Sequence, residues 1–332
     1  MMGSQTALPV FFGIGGCDLT LWERDFLRDA RPMGFILFAR NVDSVDQIRA
    51  LCHDLRDAVG YDAPIMIDQE GGRVQRLRSP IARDWLPPLD HAEQSGNSAV
   101  VFHARFALIA SELRALGIDS NCAPCLDIAT PQTHPFLQNR CYGRDADRVI
   151  ELGQAAFDGL CAGGVVPIVK HMPGHGRAQV DSHLDLPHVT AELVDLEQSD
   201  FAVFRHFNRA PMAMTAHIVF DALDPNAPVT TSPQAVDYLR KAMGFEGFLI
   251  SDDVSMQALP GGLQDRCNGI MGAGCDAVLH CNGDRDEMIM VANQLPAPTD
   301  AMIQRLDAFL AFRDGVWDAD LDIGPMLGQL ER

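Results

Sequence analysis

The sequence predicts an α/β fold: a closed (β/α)8 barrel of the TIM type, formed as a single domain over residues 1–332. Three observations carry that expectation. Eight short apolar segments alternate with longer stretches of helical period between Val10 and His280. Alternation with short connections indicates a parallel sheet with crossovers, and eight strands over this length fit a closed barrel better than an open doubly wound sheet. A dinucleotide fold would set G-x-G-x-x-G after its first strand, whereas Gly13-Ile14-Gly15-Gly16-Cys17-Asp18 breaks that spacing. Finally, polar residues crowd just past the C-terminal ends of four strands, where a barrel builds its site.

The elements follow in order. Val10–Phe12 is an apolar strand stopped by glycine, and Thr20–Asp29 has helical period. Gly34–Phe38 is the second strand. Ser44, with Gln47 three residues on, forms a capping box for the helix Ser44–Val59. Pro64–Ile67 is the third strand and Val100–Leu116 its helix. Asp119–Ala123 and Asp145–Ala162 make the fourth pair. The fifth strand, Pro167–Val169, lies in an apolar run bounded by Gly163-Gly164, and one long helix, Ala191–Phe207, follows it. Met212–Thr215, Phe248–Ile250 and Ala277–His280 complete the strands, with helices Pro233–Met243 and Leu263–Ala273 between them. No linker, repeat or low-complexity stretch splits off a second domain.

A formal charge of −19 argues against nucleic acid or an anionic membrane as partner, since both require clustered Lys and Arg. No run of eighteen apolar residues offers a membrane span, and the first residues lack the basic-then-apolar pattern of a signal peptide. Nine scattered cysteines, several inside apolar runs, read as reduced thiols of a cytoplasmic protein. Cys122-Ala123-Pro124-Cys125 has no second pair at zinc spacing. His171 and His175 are separated by Pro173-Gly174, which prevents a shared helical face. No metal and no cofactor is therefore expected.

The densest chemistry runs from Lys170 to His183, with a lysine, three histidines and an aspartate where a buried strand emerges into a loop. Asp68 follows the third strand, His217 the sixth, and Asp252-Asp253 the seventh. At least one carboxylate of that last pair must face the barrel mouth. Held ionised by cations such as Lys170, Arg76 and Arg140, it suits a nucleophile or a stabiliser of a cationic transition state. In Asp181-Ser182-His183 the carboxylate is placed to orient the imidazole for proton transfer. Asp68-Gln69-Glu70-Gly71-Gly72-Arg73-Val74-Gln75-Arg76 combines acid, amide and guanidinium groups that suit a polyhydroxylated ligand.

These residues resemble the family 3 glycoside hydrolases, specifically the bacterial β-N-acetylhexosaminidases of cell-wall recycling. The similar segments are Gly34–Asn41, Asp68–Arg76, Ala123–Asp127, Lys170–Gly176, Asp181–His183, Met214–His217 and Ser251–Met256, in family order. The resemblance implies a retaining exo-β-N-acetylglucosaminidase that releases terminal GlcNAc from peptidoglycan fragments, GlcNAc-anhydroMurNAc with or without peptide. It implies Asp252 as nucleophile, His183 as acid/base assisted by Asp181, and Asp68, Arg76, Arg140, Lys170 and His171 as sugar ligands. An amino-sugar or muropeptide substrate and a monomer are the expected partners and state. A family 3 β-glucosidase or phosphorylase, or a non-catalytic sugar-binding barrel, is the alternative. Around Arg140 the neighbours Asn139 and Cys141 differ from the family's usual pattern, Met172 stands where an aromatic is usual, and Arg177-Ala178-Gln179 replaces a stretch that often contains Thr.

Overall fold

The structure is a computed structural model that describes residues 7–180, 185–317 and 328. Eight parallel strands close into a barrel: β1 (Leu8–Phe12), β2 (Pro32–Leu37), β3 (Ile65–Ile67), β4 (Ser120–Asn121), β5 (Val166–Met172), β6 (Met212–Thr215), β7 (Phe248–Asp253) and β8 (Ala277–His280). Each pairs with its neighbours in chain order, and β8 returns to β1 through Val10 opposite Val278. The predicted fold class is the observed one.

Period-two alternation decides what fills the barrel. Phe11, Met66, Ile168, Met212, Met214, Phe248, Ile250 and Leu279 point inward and form one buried cluster. Val10, Phe12, Val169, Ala213 and Leu249 point outward and pack beneath the helices. Those helices are α1 (Leu21–Ala30), α2 (Val45–Val59), α3 (Ala99–Ala115), α4 (Ala146–Ala162), α5 (Asp200–His206), α6 (Pro233–Lys241), α7 (Leu263–Ala273) and α8 (Arg285–Gln294). None is long and apolar enough to cross a membrane.

Neither α8 nor a further helix, α9 (Asp300–Trp317), is among the helices predicted from sequence, and α9 closes the N-terminal end of the barrel. Met302, Leu306 and Phe309 join the interior cluster. Arg313 reaches Asp62 and Asp119, and Arg305 reaches Asp276, all just before strand starts. With that end plugged, the C-terminal mouth is left for chemistry.

Two local expectations are corrected. Ser44 does cap α2 by accepting from the Gln47 N–H at 3.3 Å, but the Gln47 side chain accepts from Asp43, so the reciprocal box is not made. The full box belongs to α1, where Thr20 accepts from the Glu23 N–H and Glu23 from the Thr20 N–H. The long helix expected over Ala191–Phe207 is two, Leu193–Gln198 and α5. Arg177 explains the break, because its guanidinium binds Asp200 Oδ2 at 2.6 Å and Ser199 Oγ at 2.9 Å where one helix gives way to the next.

Candidate active site

The strand ends bring five predicted ligands into one cavity of about 210 Å3 at the C-terminal mouth. Asp68, Arg76, Arg140, Lys170 and His171 line it together with Asp252, Phe38, Phe136, His175 and Met214. Asp68, at the end of β3, accepts from Lys170 Nζ at 2.7 Å and from Arg76 Nη2 at 2.9 Å. Burial alone would raise its pKa, but the two cations outweigh that and hold the carboxyl well below its usual range. Lys170 also lies 2.6 Å from Glu70. Burial would lower the ammonium, yet the two carboxylates win and push it up.

Glu70 is the hub that the sequence reading passed over. It is fully buried and accepts a bidentate pair from Arg140, Nε at 3.0 Å and Nη2 at 2.8 Å. Despite burial, Arg140 and Lys170 hold its pKa to about 2. Its motif was visible, but nothing in the sequence distinguished the middle carboxylate from Asp68. The turn behind it requires glycine: Gly71 has φ of 113°, and a Cβ there would lie 2.0 Å from Arg105 Nη2, the atom that donates to the Glu70 carbonyl.

On the opposite wall stands the acidic pair of β7, and packing separates its members. Asp253 accepts from the Ser255 N–H and hydroxyl and from the Cys281 N–H, so its carboxylate braces the β7–α7 turn. Asp252 is half-buried, lines the cavity and accepts the Asp253 N–H at 2.8 Å. His217, expected at the site, is fully buried behind the wall and is not one of its lining residues. It ties β6 to β7, with Nε2 3.0 Å from the Asp253 carbonyl and Nδ1 2.8 Å from the Thr230 hydroxyl. Asp181 and His183 lie outside the described residues.

Asp127 ends the segment Ala123–Asp127, and no local signal in the sequence marks it for the site. Its carboxylate lies 2.7 Å from His171 Nδ1 and accepts the His175 N–H. Among the described residues, Cys125, Asp127 and His171 bring potential ligand atoms within 4.8 Å of one another. Asp127 is already engaged there by two backbone N–H groups and the imidazole, a hydrogen-bonded arrangement that a cation would have to displace.

His175 packs edge-on to His171, centroids 5.7 Å apart, and neither of its ring nitrogens has a hydrogen-bond partner among the described residues. Burial, reinforced by His171, pushes its pKa down to about 4 from an ordinary 6.5. The folded protein therefore binds fewer protons than the unfolded chain between those values, so the contribution is complete above pH 6.5 and lost as pH falls towards 4. A shift of that size is worth roughly 3 kcal/mol. Thermal melts should show stability falling across this window, and His175→Gln should flatten the fall. An unchanged slope in that variant would assign it to other groups.

A half-buried carboxylate facing a locked cluster of two carboxylates and three cations, at the open end of a (β/α)8 barrel, suits a polyhydroxylated ligand and the chemistry of a glycoside-cleaving enzyme. The comparisons agree. Residues 20–308 match the glycosyl hydrolase family 3 N terminal domain. The chain belongs to glycosyl hydrolase family 3, and it has relatives there named β-hexosaminidase. It is 36% identical over 306 residues to the β-hexosaminidase of Alkalilimnicola ehrlichii, covering 90% of this chain and 87% of that one. It is 32% identical over 315 residues to that of Tolumonas auensis, covering 93% and 92%. The crystal structure of NagZ from Neisseria gonorrhoeae in complex with N-trifluoroacetyl-D-glucosamine superposes with a TM-score of 0.84 at 29% identity, covering 98% of this chain and 96% of that one.

Proposed function

We propose that this protein is a retaining exo-β-N-acetylglucosaminidase that removes terminal GlcNAc from peptidoglycan fragments of the GlcNAc-anhydroMurNAc type, with or without peptide. The whole chain serves as one catalytic domain and acts in the cytoplasm. The carrying observation is the placement of Asp252: a strand-end carboxylate in a cavity whose other wall is already charge-paired. Asp68, Arg76, Arg140, Lys170 and His171 hold the hydroxyls of the terminal sugar. Asp252 attacks C1 while His183, oriented by Asp181, protonates the departing glycosidic oxygen. Water, deprotonated by His183, then attacks C1 of the glycosyl-enzyme and frees Asp252. Two displacements at one carbon retain the β-configuration.

The nitrogen substituent at C2 is supported by the relatives named β-hexosaminidase and by the N-acylglucosamine ligand held by the Neisseria protein. A site that hydrogen-bonds an amide leaves its own polar groups unpaired when a hydroxyl replaces it, a mismatch worth at least roughly 10²-fold in kcat/KM. Nitrophenyl β-glycosides of GlcNAc and glucose compared side by side should differ by that factor or more. Proton NMR of the first-formed sugar should show the β-anomer. First-formed α-product would exclude the covalent route, and near-equal rates would move the chain to a β-glucosidase reading. Phosphate outcompeting water as acceptor would make it a phosphorylase.

A further inference from the structure

Asp127 is fully buried and lies behind the cavity wall, not among its lining residues. Its Oδ2 meets His171 Nδ1 at 2.7 Å, while Oδ1 accepts the backbone N–H of His175 at 2.6 Å and of His171 at 3.4 Å. Burial would raise its pKa, but His171 outweighs this and keeps it below the usual carboxylate range. An ionised carboxylate only accepts, so it fixes a proton on Nδ1. On the other side of the ring, Arg140 Nη2 lies 3.4 Å from Nε2, and a guanidinium only donates. An acceptor at one nitrogen and a donor at the other select the same neutral tautomer.

We infer that Asp127 is a positioning residue that commits His171 to the Nδ1–H tautomer, so that Nε2 accepts a hydrogen bond from a substrate hydroxyl. The inference deepens the proposed function and rests on His171 being a sugar ligand. The need for an acceptor follows from the neighbours. Lys170, Arg76 and Arg140 can each donate to a hydroxyl oxygen, while those cations already occupy two of the roughly four lone-pair sites of Asp68 and three of those of Glu70, so this wall offers more N–H donors than open acceptor sites. The hydroxyl's own proton still requires a partner. The Arg140 contact, at the long end of hydrogen-bond range, is weak enough to yield Nε2 to it.

Asp127→Asn tests this sharply. The amide oxygen can keep both backbone N–H bonds, while its NH2 now faces Nδ1 as a donor. That forces the Nε2–H tautomer and turns an acceptor into a second donor. On a nitrophenyl β-GlcNAc substrate kcat/KM should fall by roughly 10²-fold, with the proton on the labelled His171 ring moving from Nδ1 to Nε2 in nitrogen NMR. In a His171→Ala background the same substitution should cost less than about threefold, because it acts through the ring. An equal cost in both backgrounds overturns the inference. So does an Nε2–H ring in the unsubstituted protein, a measurement that needs no variant to fold. If His171→Ala alone costs nothing, His171 is not a sugar ligand and the inference falls with it. Labelling of Asp252 by a trapped glycosyl group tests the hydrolytic reading independently.

Discussion

Asp252→Asn is expected to lower kcat/KM by at least roughly 10⁴-fold, equivalent to about 5 kcal/mol of transition-state stabilisation, while leaving the fold intact. The substitution is nearly isosteric. Its amide oxygen can keep accepting the Asp253 N–H, and no interior packing changes. What it removes is the negative charge that makes the carboxylate oxygen a nucleophile towards C1. Neither neighbour can substitute. Asp253 is held by Ser255 and Cys281, and Glu70 by Arg140 and Lys170, with its pKa at about 2. A slow fluorinated GlcNAc donor should therefore label the peptide that contains Asp252. Recovery of the label on Asp253 or Glu70 would overturn the assignment.

The second large effect belongs to His183 and depends on the leaving group. A disaccharide departs as a poor alkoxide and needs a proton, whereas dinitrophenolate needs none. His183→Ala should slow glycosylation by the disaccharide by roughly 10²–10⁴-fold and by the dinitrophenyl glycoside hardly at all. Pre-steady-state measurements separate that step from the later attack of water. An equal loss on both substrates would remove His183 from proton donation. A histidine in this role also carries no negative charge when neutral. It therefore repels an anionic leaving group, such as a muramic acid carboxylate, less than a glutamate would, which is part of the proposed substrate choice.

Much of the fold was legible because its signals are local. The boundaries of β6, β8 and α7 were read to the residue, since each is a short apolar or amphipathic run with a proline or glycine within three residues of one end. Helix α9 was not, because what defines it is the barrel end that it covers. The split in the helix expected over Ala191–Phe207 was equally invisible, since Arg177 causes it from outside that segment. Within the site, the strand-end position of Asp68, Lys170 and Asp252 was readable, whereas the withdrawal of His217 behind the wall was not.

The sequence by itself determined the strand count, seven of the eight helices of the outer layer and the residues delivered to one end of the barrel, because periods of two and of about 3.6 residues are written along the chain. Only the tertiary structure decided which charge meets which. Lys170 and Asp68 are 102 residues apart, Arg140 and Glu70 are 70, and His171 and Asp127 are 44, yet each pair closes to within about 3 Å when the barrel forms. Charge pairing and hydrogen bonding act through space and fade within a few ångströms. Closure of the sheet, and no feature of the local sequence, therefore made Glu70 a hub, turned Asp253 into a brace, left Asp252 facing the cavity and brought Asp127 to His171.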